Sequence, residues 1–92
     1  MKYRVFYTTR CKKSVKKMLR RGKSGDKFYT VVDMLAKGEP LPPQYHDHPL
    51  FGDRIGYRDC HIESDWVLIY AIKNDMLILT LTDTGTHSDL GL

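Results

Sequence analysis

Long hydrophobic runs, abundant cysteine and the length for a second domain are all missing from this 92-residue sequence. No apolar stretch approaches the roughly 18–20 residues that a membrane-spanning helix needs, so no membrane span is expected. The opening MKYRVFYTTRCKK lacks both a long apolar core and a small-residue cleavage site, and so does not read as a secretory leader. Two cysteines, Cys11 and Cys60, are too few for a disulfide scaffold and fit a reduced, cytoplasmic protein. The length allows one domain, residues 1–92, which buries only about 60–65% of its unfolded surface. Any site is therefore expected near the surface.

Acid is missing from one segment in particular. Residues 9–23 carry eight basic side chains and no Asp or Glu. Across residues 1–45 there are 12 basic and 3 acidic residues; across 46–92 there are 3 and 8, for a net +4 overall. All four histidines (His46, His48, His61, His87) fall in the acidic half. This split suggests that one part attracts a polyanion while the other carries chemistry.

Periodicity places the elements. Residues 3–8 (YRVFYT) alternate as a short strand. Cys11, Val15, Met18 and Leu19 recur at helical spacing from Thr9 to Arg21, with Thr8 or Thr9 as cap and Gly22 as stop. A second helix is expected over about Asp26–Lys37, burying Phe28, Val31, Val32 and Leu35. All four prolines fall in the next stretch, EPLPPQYHDHPLFGDRIG, which excludes a helix; Tyr45, Leu50 and Phe51 argue for a packed, functional loop. Three strands follow, over 57–62, 66–72 and 76–82. Asn74-Asp75 supplies a tight hairpin turn, and Leu77, Leu79 and Leu81 face the core. The order β-α-α-β-β-β gives an α+β domain, a two-helix hairpin on a small, mainly antiparallel sheet.

Titratable residues cluster at strand ends and loops of the second half. RNA cleavage by internal 2′-hydroxyl attack suits this inventory. It needs a group to take one proton, a group to give another and a cation for the phosphoryl oxygens, with no metal and no cofactor. In the strand from Tyr57, Cys60 and Ile62 point inward with Arg58, while Asp59 and His61 share the other face.

The strings DHPL (47–50), GYRDCHIESDW (56–66), LIY (68–70) and TGTHSDL (84–90) resemble the YafQ branch of the RelE-type bacterial toxins. The resemblance spans nearly the whole chain. It implies a ribosome-dependent messenger-RNA interferase held in check by a DinJ- or RelB-like antitoxin with an acidic tail, and contact with operator DNA only through that antitoxin. Carried over, it implies catalytic roles for His48, His61, Asp65 and His87 and a substrate-positioning role for Trp66. Lys12, Lys13, Lys16, Lys17, Arg20 and Arg21 form the expected RNA- and ribosome-binding face. Two positions depart from the family pattern. Asp83 stands where relatives often carry an arginine before TGTH, and Gly91 where they carry an aromatic. The scissile-phosphate cation would then come from Arg54, Arg58 or a helix lysine, or cleavage would be attenuated. Alternatives are a RelE/ParE-fold interaction protein without nuclease activity, such as a gyrase inhibitor or antitoxin-binding regulator, and a metal-dependent hydrolase using His46-x-His48.

Overall fold

The computed structural model describes residues 1–92. Strand β1 (Arg4–Tyr7) leads into helix α1 (Thr9–Arg20) and helix α2 (Gly25–Ala36). The proline-rich stretch holds two one-turn 3-10 helices, Pro43–Tyr45 and Gly52–Arg54, with the two-residue strand β2 (His48–Pro49) between them. Strands β3 (Arg58–Glu63), β4 (Trp66–Lys73) and β5 (Ile78–Gly85) follow, and helix α3 (His87–Leu90) closes the chain. The sheet order is β1-β5-β4-β3-β2, parallel only at β1–β5. This is the expected α+β fold, with one strand and one short helix more than the sequence pattern predicted.

The helices form where the spacing places them. The Thr8 side chain accepts from the Cys11 amide and caps α1; Ser24 does the same for Lys27 in α2. Cys11, Val15 and Met18 from α1, and Phe28, Val31, Val32, Leu35 and Ala36 from α2, bury against Cys60, Ile62, Trp66, Leu68, Tyr70, Leu79 and Leu81 of the sheet. Phe28 stacks on Trp66 with ring centroids 6.0 Å apart. The opposite sheet face carries a much smaller core of Leu50, Val67, Ile69 and Leu90. That face is left open for polar side chains. No helix is long and apolar enough to cross a membrane.

Two local expectations fail. The β4–β5 connection is a four-residue loop, since the last ladder pair is Lys73↔Ile78. Neither Asn74 nor Asp75 adopts a positive φ; Leu77 does, at 53°, and it is 47% exposed instead of facing the core. A two-residue hairpin needs left-handed backbone within its turn, so its absence lengthens the loop and β5 starts later. Phe51, expected inside a packed loop, is 78% exposed, while Leu50 is buried.

Candidate active site

Sheet register builds the site. On the open face, His48 of β2 pairs directly with Asp59 of β3, and His61 follows two residues along the same strand. The Ser64-Asp65 turn joins β3 to β4. From the far end of β5, α3 folds back over the sheet, fixed by a capping box between Thr86 and Asp89. Gly85 permits that fold, because a Cβ there would lie 2.9 Å from the Asp89 Cβ. As a result four imidazoles from three stretches of chain converge. Ring centroids lie 5.0 Å apart for His61–His87, 6.5 Å for His48–His61 and 5.3 Å for His46–His61.

Hydrogen bonds set the ring orientations. Asp65 Oδ1 accepts both the backbone N–H of His87 (2.9 Å) and, at 2.6 Å, the ring Nδ1 of His87. The two bonds hold the Asp65 carboxyl below the usual carboxylate range, the backbone bond being the larger cause. An ionised carboxylate only accepts, so His87 Nδ1 carries the proton and Nε2 is left free. His48 Nδ1 lies 2.7 Å from the His46 carbonyl oxygen, an acceptor, which fixes the same tautomer. For His61, burial pushes the imidazole below its ordinary pKa, and His87, His46 and His48 add to this while Asp59 opposes it. A ring that resists protonation beside rings backed by acceptors has the makings of an acid–base set.

An open cleft of about 890 Å³ adjoins the cluster, with His46, His48 and His61 on one side and Asp26, Lys27 and Thr30 of α2 on the other.

The expected site residues separate into those in the cluster and those elsewhere. His48, His61, Asp65 and His87 come together. Trp66 does not join them. It is fully buried on the helix side, stacked on Phe28, and its Nε1 donates to Thr84 Oγ1 at 2.9 Å. It joins β4 to β5 on the core face, opposite the histidines, because residues alternate faces along a strand. Arg58 also points to the helix side, where it grips Asp47 through Nε (3.3 Å) and Nη2 (3.2 Å), with Tyr70 bonded to the same carboxylate. Arg54 sits on the open side, donating to the Leu90 carbonyl through Nη2, while its Nη1 is buried without an acceptor. Asp83 is turned into α1, where Oδ1 accepts from Ser14 Oγ (2.6 Å) and Arg10 stands 3.9 Å from Oδ2. On α1, Lys12, Lys13, Lys16 and Arg20 are exposed and form no ion pair. Lys17 and Arg21 face Asp89 at 4.0 and 2.8 Å, which ties them partly to α3.

The sequence reading missed His46 and Asp59 as members of the cluster. His46 adopts a left-handed backbone (φ 48°), which turns its carbonyl toward His48. Its place ending a one-turn helix gives no sequence signal. Asp59 was legible as sharing the His61 face, but strand alternation says nothing about which strand lies opposite.

With this geometry in view, similarity to known proteins decides the lineage. Residues 3–91 match the family described as a bacterial toxin of type II toxin–antitoxin systems, YafQ. The chain belongs to the YafQ family. It is 40% identical over 87 residues to the mRNA interferase toxin YafQ of Escherichia coli K12, covering 94% of this chain and 92% of that one. The crystal structure of YafQ from E. coli BL21(DE3) superposes with a TM-score of 0.90 at 36% identity, covering 96% and 97% of the two chains. YafQ in the E. coli DinJ–YafQ complex superposes at 0.88 and 37%, with the same coverage.

Proposed function

We propose that this chain, a toxin of a type II toxin–antitoxin system and an mRNA interferase, cuts translated messenger RNA by metal-independent acid–base chemistry at the histidine cluster. The single observation that carries the reading is the convergence of His48, His61 and the Asp65–His87 pair on one open face, close enough to flank one ribose–phosphate linkage. In the proposed sequence, His61 takes the 2′-hydroxyl proton, since burial keeps its ring neutral. The freed oxygen attacks the adjacent phosphorus, forming a cyclic phosphate as the 5′-oxygen leaves. His87, its ring held by the Asp65 carboxylate at Nδ1 with Nε2 free, gives that oxygen its proton. His48, its ring centroid 6.5 Å from that of His61, shares the proton that the base takes up. Each well-placed acid or base contributes on the order of 100- to 10,000-fold.

Arg54, on the open side, supplies the cation for the phosphoryl oxygens once its guanidinium, buried at Nη1 without an acceptor, turns outward. Arg58 is committed to Asp47, and the Asp83 charge is absorbed by Ser14 and Arg10, away from the histidines. The exposed lysines of α1 dock on ribosomal RNA. A DinJ-like antitoxin is the protein partner, and operator DNA is reached only through it.

The test is inducible expression of wild type and His87→Ala with mapping of message 5′ ends. Wild type should arrest growth and cut within codons, and the variant should do neither. Equal arrest by both, or arrest with intact message, would overturn the reading.

A further inference from the structure

Asp59 is the least expected residue near the cluster. It is a carboxylate only 3% exposed, on a face otherwise lined by Val67, Ile69 and polar groups. Its Oδ1 has no hydrogen-bond donor, although His48 Nδ1 lies 3.1 Å away. The one proton on that nitrogen is directed at the His46 carbonyl instead. A buried carboxylate oxygen without a donor is costly, so its retention calls for a reason. Every charged or titratable neighbour that acts on it can be named: His48 from β2, His61 from its own strand, His87 from α3 and Asp47 from the loop before β2. Three of the four are imidazoles. Burial pushes the Asp59 carboxyl up, the three imidazoles pull it down, and Asp47 adds to the rise.

We infer that Asp59 is a positioning residue for His48, its buried carboxylate orienting that ring and balancing the positive charge the ring acquires during turnover. The inference rests on the active-site reading above and deepens it. The site then works with two carboxylate–imidazole pairs beside His61: Asp65–His87, whose carboxylate is exposed, and Asp59–His48, whose carboxylate is buried. The β2–β3 register sets the second pair, because His48 and Asp59 are cross-strand partners and their side chains leave the same face. When the His48 ring takes up a proton at Nε2, the Nδ1–H becomes a stronger donor. A small rotation then shifts that proton from the His46 carbonyl to the waiting Asp59 oxygen. The unsatisfied atom in the resting protein is thus used when the ring is charged.

The experiment measures cleavage of ribosome-bound message by wild type, Asp59→Asn, His48→Gln and the double variant across pH. Asp59→Asn should lower kcat by roughly 10- to 100-fold with KM unchanged, as losses of a histidine's supporting carboxylate do. The limb of the pH–rate profile that belongs to His48 should move to lower pH, since the imidazolium loses its neighbouring anion. In the His48→Gln background, adding Asp59→Asn should change little. Wild-type cleavage by Asp59→Asn, a lowered rate with an unmoved pH profile, or a full extra loss in the double variant would each overturn the inference. If His48→Gln itself cleaves normally, the active-site reading fails first. Should Asp59→Asn not fold, the carboxyl carbon of Asp59, followed by NMR, should titrate at higher pH in His48→Gln than in wild type. An unmoved midpoint would overturn the inference just as firmly.

Discussion

The outer face of α1 and the open face of the sheet are both dense in charge, but they handle it in opposite ways. Along α1, Lys12, Lys13, Lys16 and Arg20 stand exposed without a carboxylate near them. Around the histidines, Asp65 is bonded to His87 and Asp59 lies against His48. Unpaired cations project a field over a Debye length of about 8–10 Å and attract a polyanion without fixing its orientation. Paired groups project little, but their rings are held in one tautomer and one orientation, which proton transfer requires. On the proposed function, one surface attracts RNA and the other reacts with it.

Substitutions can break either half of this contrast. The largest effect is expected on the reacting face: His87→Gln should reduce cleavage by on the order of 100- to 10,000-fold, read as single-turnover cutting of ribosome-bound message, with ribosome binding intact. Next comes the attracting face. Replacing Lys12, Lys13, Lys16 and Arg20 together with Gln should leave the chemistry of bound message unchanged but weaken ribosome binding. Its log–log salt dependence should flatten by up to about four units, roughly one per cation removed. Binding assays from low to high salt check this, and an unchanged slope would remove α1 as the docking surface.

The two arginines sharpen the contrast further. Arg54→Gln should lower cleavage by the folded protein by about tenfold or more, because an oriented cation at the phosphate is lost, with a smaller drop in melting temperature from the lost bond to the Leu90 carbonyl. Arg58→Gln should act the other way round, costing about 1–3 kcal/mol of stability in denaturant melts by leaving Asp47 without its cation while the folded fraction still cuts. The smallest effect concerns pH. His61 has its pKa lowered by folding, so the native state binds its proton less readily than the unfolded chain does. Its contribution destabilises the fold as pH falls below about 6.5 and vanishes above that value. Asp65, Glu63 and Asp89 are lowered as acids, so the stability they add persists above about pH 4 and is lost below it. Melting from pH 7.5 to 5 should therefore fall in wild type and fall less in His61→Gln.

Much of this was written in the chain in a form that could be read. The α1 and α2 faces followed from 3.6-residue spacing: Cys11, Val15, Met18, Phe28, Val31, Val32 and Leu35 are buried as the spacing named, whereas Leu19 is exposed and Ala36 joins the core unannounced. Trp66 to Tyr70 are apolar on both faces, which marks a central strand and by itself argued that Trp66 belongs to the core. The expected role for Trp66 in positioning substrate or shaping the pocket came from family resemblance, and the structure places its ring in the core. What could not be read was pairing. Nothing local in YRVFYT says that β1 lies parallel to β5, and a two-residue strand such as β2 has no periodicity at all. Since β2–β3 register is what sets His48 against Asp59, that relation stayed hidden even though both residues were in view. The backbone turn at His46 has no sequence signal, whereas α3 had one in the Thr86–Asp89 capping-box spacing and lacked only the length to show periodicity.

The crowding of like charges along α1 has a consequence for the free protein. Lys12 and Lys16, Lys13 and Lys17, and Lys16 and Arg20 sit four residues apart, each pair repelling by a few tenths of a kcal/mol on a helix surface. Mobile ions relieve that repulsion, so moderate salt should steady the solitary toxin while loosening its hold on the ribosome. Heparin or any other dense polyanion should raise its melting point, and an acidic antitoxin tail laid along the same stripe would relieve the strain in the same way.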